Sequence, residues 1–381
     1  MTEEIEQRET AASVPPSGTG STAIDPAPAD TAPLDRVAPS PLVESRALWA
    51  GGGSGVLGLL VGLIAFWNKD VPMFDRDLSI GVVAILCCLV ATAASYGWSL
   101  HALWRSRGRT PARGAGSVFR RVLAAIGLLL THLAITLFAT LGVFTLLAMS
   151  FRGLTLPLPH SAALVGVAAM LAGYASSLSG ADGSTMHLAT LLTMLMVGGV
   201  FTAMLTAPDP DWWIHHFSYL GGGGTSGLTF NGTLIVAGLV LITLADRLTN
   251  DLSRAPATAG GRTTIVRTLL IVAGACCALT GFFPYDWYEP IHMAFAFTMM
   301  LSIAALMVIA PRAIPGLPAS FRLASLALLA VPIVSVLLFL FHSFSWTGAE
   351  LVIALGCFAW LVLFIRTTNA VINEESVRGA S

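Results

Sequence analysis

From Leu48 onward the chain is a succession of long uncharged apolar stretches separated by short polar breaks. Each stretch runs for about 17 to 25 residues, the length a helix needs to cross roughly 30 Å of hydrocarbon. Ten spans are predicted, at 48–67, 79–103, 122–150, 161–180, 188–207, 231–248, 268–284, 290–310, 323–343 and 348–366. The least marked break, Ser179-Gly180-Ala181-Asp182-Gly183-Ser184, is a short turn between the fourth and fifth spans. A re-entrant pair at that point would reduce the count to eight and leave its parity unchanged. The pattern predicts an all-α, polytopic transmembrane helix bundle.

Residues 1–46 follow another pattern. Pro15, Pro16, Pro26, Pro28, Pro33, Pro39 and Pro41 are interspersed with Ala, Ser, Thr and Gly, and no apolar run occurs. Up to residue 45, Glu3, Glu4, Glu6, Glu9, Asp25, Asp30, Asp35 and Glu44 stand against Arg8 and Arg36. Such a segment buries too little apolar surface to offset its ordering entropy, so a disordered acidic tail is expected. The positively charged start and early apolar stretch of a cleavable signal peptide are both missing from it, so no cleavage is expected.

Composition agrees with the pattern: 55% hydrophobic and 11% charged residues, with mean hydropathy +0.78, against about 25% charged in soluble domains. Net charge is -1 and Lys69 is the lone lysine, so the basic surface that nucleic-acid binding requires is lacking. Charge also sets orientation, because cytoplasmic loops carry the excess Arg and Lys. With the N-terminus inside, seventeen of the 20 basic residues fall on the cytoplasmic side, and only Lys69, Arg76 and Arg152 fall outside. A plasma-membrane protein with ten spans and both termini cytoplasmic is the expectation.

Within the spans, Gly51, Gly55, Gly58 and Gly62 line one face of the first helix and let another backbone come close. That face is expected to pack inside the bundle, with homodimerisation as the alternative. No Asp, Glu, Lys or Arg occupies the central third of any span, which argues against ion-coupled transport. His132 is the exception among titratable groups, about 15 Å deep by helical rise, and is expected to be a neutral, hydrogen-bonded packing residue. Haem ligation would need a second histidine at matching depth, whereas His101 and His187 fall at span ends. Cys87, Cys88, Cys276, Cys277 and Cys357 lie within spans and form no Cys-x-x-Cys, so they read as small apolar side chains. No phosphate-binding, dinucleotide-binding or nucleophile-elbow motif is present.

Polar chemistry gathers on the other face. His160, His215, His216, His292 and His342 all reach it, with Asp209, Asp211, Asp286, Glu289 and Glu350 beside them. Imidazole and carboxylate are zinc ligands, which makes His215, His216, His292, Asp209 and Asp211 candidate metal ligands and His292, Asp286 and Glu289 candidate catalytic groups. The plainer expectation is interfacial: Asp286 and Glu289 cap a helix that starts at Pro290, and Trp212, Trp213, Tyr285, Trp287 and Tyr288 form an aromatic belt. No cofactor is required, and zinc is the one to test.

The segment Pro208-Asp209-Pro210-Asp211-Trp212-Trp213-Ile214-His215-His216 runs into Ser218-Tyr219-Leu220 and four glycines, Gly221 to Gly224. A pliable run of this kind suits a lid or a cavity wall. Ser218-Tyr219-Leu220-Gly221 with Phe230-Asn231, and Gly281-Phe282-Phe283-Pro284 with His292 and Ala294, resemble the bacterial six-helix membrane family catalogued as domain of unknown function nine-nine-eight. A more distant likeness is to the damage-regulated autophagy modulator type. The resemblance implies a six-helix membrane domain at 188–368 with an outward polar patch, and implies no reaction. It leaves a four-helix membrane region at 47–187 and a short cytoplasmic tail at 369–381.

Function follows by elimination. The expected role is non-enzymatic, through membrane lipid, a membrane-protein partner or a second copy. The first alternative is an outer-leaflet, metal-assisted hydrolase or transferase of envelope lipid. The second is an uncoupled facilitator for a small neutral solute.

Overall fold

Ten helices account for nearly all of the computed structural model, which describes residues 40–378 apart from 76, 108–114 and 255–261. They are α1 (Pro41–Ala65), α2 (Ile80–Arg107), α3 (Ala115–Ser150), α4 (Leu158–Gly180), α5 (Thr185–Leu205), α6 (Gly224–Arg254), α7 (Thr263–Phe282), α8 (Glu289–Ala313), α9 (Ala319–Leu340) and α10 (Trp346–Arg378). Each contains a stretch long and apolar enough to cross a membrane. The acidic tail up to Pro39 lies outside the described residues, as do Arg76, Arg109 and Arg113.

The turn at 181–184 separates two full helices, α4 and α5, so ten spans rather than eight are present among the described residues. Ser184 caps α5 by accepting the His187 amide. Several boundaries differ from the sequence pattern, among them the end of α10, which runs to Arg378 through most of the segment read as a C-terminal tail. Helix α1 starts at Pro41, inside the segment read as tail, because a proline suits the first helical turn. Helix α6 starts at Gly224 rather than Asn231, so its polar first two turns stand before the apolar run.

The glycine face of α1 packs against α4. A Cβ on Gly62 would lie 2.7 Å from Ala162 Cα, and one on Gly58 would lie 2.8 Å from Ala169 Cβ. At the far end of the same pair, Tyr174 Oη donates to Glu44 Oε1 at 2.5 Å. The opposite side of α1, including Trp49, Leu57 and Ile64, is exposed, as a lipid-facing surface would be. Helix α4 also packs on α2, and α3 joins α2 to α5.

Two apolar clusters result. The larger is built from α5 to α10, and Phe138 of α3 enters it. Within it Trp360 and Phe364 stack at 5.1 Å, and the Trp360 indole donates to Ser325 Oγ at 2.9 Å, satisfying the one polar atom of a fully buried side chain. The smaller cluster joins Phe66, Met73, Ile80, Phe144 and Val165. It is closed by a short sheet, in which β1 (Val71–Pro72) pairs antiparallel with β2 (Thr155–Leu156). That sheet ties the α1–α2 loop to the α3–α4 loop.

Helix alternation brings the long loops 206–223 and 283–288 to the end that carries this sheet. The opposite end carries Arg247, whose Nη1 donates to Gly183 O at 2.7 Å, and Arg267, paired with Asp246 at 2.7 Å.

Candidate functional site

The loop end is shaped by backbone rules. Asp209 Oδ1 accepts the Asp211 amide at 2.9 Å, an Asx turn that bends the chain between Pro208 and Pro210. A 3-10 turn, Trp212–Ile214, follows, then extended His216 and a second 3-10 turn, Phe217–Gly221. The phenyl ring of Phe217 packs edge-on against Phe230 at 5.5 Å, and its amide donates to Glu350 Oε2 at 2.5 Å. Gly223 and Gly224 have φ of 128° and 62°, a region that side chains other than glycine adopt at a cost. The chain there reverses and enters α6.

Asn231, almost two turns into α6, reaches back and donates from Nδ2 to Gly221 O at 2.9 Å. Ser226 Oγ donates to Leu220 O at 2.8 Å. A Cβ on Gly281 would lie 2.5 Å from Asn231 O, so α7 leaves the bundle in contact with the α6 backbone. These contacts make Leu220, Gly221, Asn231 and Gly281 parts of one joint.

His292 locks the joint from α8. It is 1% exposed, with Nδ1 at 2.8 Å from Phe283 O and Nε2 at 3.1 Å from Ser218 Oγ. A carbonyl only accepts, so Nδ1 carries the hydrogen and, in the neutral ring, Nε2 accepts from the serine hydroxyl. Both ring nitrogens of the buried histidine are thereby satisfied.

His216 lies against Tyr285 at a ring separation of 4.2 Å, and His215 stacks on Tyr219 at 4.4 Å. His215 Nε2 is 3.8 Å from Asp209 Oδ2. Burial lowers the pKa of His216, and the opposing pull of Asp286 does not cancel it. The Tyr285 hydroxyl is raised, first by its hydrogen bond to Glu289.

The structure therefore joins His216, Ser218 and Tyr219 of one loop, Tyr285 and Asp286 of a second, and His292 of α8. His160 and His342 are exposed and are not drawn into these bonds. The zinc expectation finds no group of three His, Cys, Asp or Glu able to hold a metal ion among the described residues. Its central candidate, His292, uses both nitrogens elsewhere. The capping expectation is corrected for Asp286. Helix α8 starts at Glu289 with Tyr288 at its cap and no side-chain cap bond, so Asp286 does not serve its amides.

Asp286 instead faces the glycine turn. Beside it opens a cleft of about 420 Å³, with Gly222, Asn231 and Asp286 on its polar side and Leu228, Ile235 and Phe282 on its apolar side. Asn231 Oδ1 is buried there with no hydrogen-bond partner. The glycine run signalled this cleft in the sequence; Leu228 and Phe282 gave no signal apart from their apolar character.

Residues 188–367 match the family described as "Protein of unknown function (DUF998)". This segment belongs to that family. The DUF998 segment takes in most of α5 and everything through the apolar part of α10, including the whole joint around His292. No curated protein matches the chain, and no solved structure does.

Proposed function

We propose that the protein sits in the plasma membrane with both termini in the cytoplasm and holds the polar head of a membrane amphiphile in the cleft beside Asp286, without turning it over. The cleft carries this reading. Its volume of about 420 Å³ lies within the roughly 300–1,000 Å³ of small-molecule sites. Asn231 Oδ1, an unpaired acceptor, and the Asp286 carboxylate favour a head that donates hydrogen bonds, such as an amine or a hydroxyl. Leu228 and Phe282 are exposed apolar residues at the rim, suited to an acyl chain that stays in the bilayer. The arginine bias supports the orientation.

The test is native mass spectrometry of the full chain from nanodiscs containing equal phosphatidylethanolamine and phosphatidylglycerol. The wild type should retain the amine-headed lipid in several-fold excess, and Asn231→Leu and Asp286→Asn should remove the preference. Equal retention of both lipids in all three proteins would reject the reading.

A second reading rests on the Ser218–His292 pair. With Nδ1 held by Phe283 O, His292 presents a bare Nε2 to the Ser218 hydroxyl, the relation of a general base to a nucleophile. Turnover of an ester lipid by purified protein, lost in Ser218→Ala, would bring this reading forward. Stoichiometric zinc lost in His292→Ala would favour the metal-assisted form instead.

A further inference from the structure

At the end opposite the cleft, three helices bring together His132, Ser179 and His187. His132 of α3 and His187 of α5 both point Nε2 at the hydroxyl of Ser179 on α4, each at 2.6 Å. The first serves as donor or acceptor according to its ring, and the direction is fixed at the far end. His132 Nδ1 lies 2.7 Å from Leu128 O, and a carbonyl cannot donate. Neutral His132 therefore carries hydrogen on Nδ1 and accepts at Nε2 from Ser179, and Ser179 accepts from His187 Nε2–H. This leaves His187 Nδ1 bare, 3.8 Å from Asp182 Oδ2. Exposure falls along the chain, from 55% for the Asp182 side chain to 18% for His187 and 5% for His132.

We propose that His187, Ser179 and His132 form a proton relay that binds one proton from the Asp182 edge and shares it with buried His132. Water delivers the proton to His187 Nδ1. His187 Nε2 passes its hydrogen to Ser179 Oγ as the serine hydrogen moves to His132 Nε2. Three bonds to hydrogen form and two within the chain break, with the third broken in the hydronium that supplies the proton. His187 ends neutral with hydrogen on Nδ1, facing Asp182, and His132 ends as imidazolium.

Groups from two neighbouring helices lie beside the relay. From α2, the ring of Tyr96 lies 4.5 Å from the His132 ring, within reach of a cation–π contact. From α6, Arg247 is close enough to act on His187 and Tyr96 while its Nη1 is engaged with Gly183 O. Asp251, also from α6, accepts from Thr185 Oγ1 at 2.7 Å. One turn deeper, Thr92, Thr136 and Ser176 bond one another through their hydroxyls, so the polar seam continues inward past His132.

Histidine nitrogen-15 NMR of the full chain in nanodiscs, from about pH 8 to about pH 4.5, brackets the ordinary histidine range. In the wild type both rings should titrate with one midpoint, and His132 Nε2 should acquire one-bond coupling to hydrogen. Ser179→Ala should leave His132 Nε2 bare while His187 still titrates, and Ser179→Thr should restore sharing. Asp182→Asn, at an exposed side chain, should lower the midpoint of both rings together and serves where Ser179→Ala fails to fold. His132 remaining bare in the wild type, or Asp182→Asn shifting His187 alone, would overturn the relay.

Discussion

Gly222 faces Asp286 so closely that a Cβ in its place would lie 2.6 Å from Asp286 Oδ2. The atom it would strike is the tip of an exposed side chain, which can swing away, so Gly222→Ala should cost little stability, under about 1 kcal/mol. It should nevertheless remove the lipid preference, because the displaced carboxylate no longer lines the cleft. Gly281→Ala is the contrast. Its Cβ would meet the Asn231 carbonyl, which cannot swing, and overpacking of this kind costs about 1–3 kcal/mol. Thermal unfolding in detergent beside lipid retention separates the two effects.

Glu350 reaches from α10 to the Phe217 amide at 2.5 Å. A hydrogen bond to a charged group contributes about 1.5–3 kcal/mol, so Glu350→Ala should loosen the 3-10 turn by an amount near the low end of that range. Glu350→Gln keeps an acceptor and should lose less. Hydrogen exchange at the Phe217 amide should accelerate in that order, and an unchanged rate in Glu350→Ala would show that the bond does not hold the turn.

The loop end should weaken in acid. Burial depresses the His216 pKa in the folded protein, so the unfolded loop binds the proton more readily. Stability is full above the ordinary histidine value of about 6.5 and falls as pH drops below it toward the lowered folded value. Exchange protection of residues 212–222 should decline between about pH 7.5 and about pH 5.5 in the wild type and decline less in His216→Gln.

Helices α6 and α7 cross at a pair of glycines, where a Cβ on Gly274 would lie 2.7 Å from Gly238 O. Gly274→Ala should destabilise the DUF998 segment by about 1–3 kcal/mol. Gly198, with open space around its Cβ position, provides the control, and Gly198→Ala should leave the unfolding midpoint unchanged or slightly raised.

The spans were legible because hydrocarbon thickness imposes a length, and even the weak break at Asp182 emerged as a turn between two helices. Which faces meet was not legible, since hydropathy gives no azimuth: the serine between the two histidines belongs to a third helix. At the other end the motif was visible as Ser218, Asn231, Gly281 and His292, yet its purpose depends on contacts among two loops and three helices. The zinc reading rests on residue types alone, and the bond from His292 Nδ1 to the Phe283 carbonyl could not be read from them.

The close fit of α1 on α4 has a consequence for biosynthesis. Gly62 packs on Ala162, and at about 5–20 residues per second the ribosome delivers that partner roughly 5–20 s later. Throughout that interval the newborn first helix presents its glycine groove to lipid or to the insertion machinery, with its own mate still unsynthesised. The groove of the first helix is thus left open for as long as the order of the chain keeps its mate unmade.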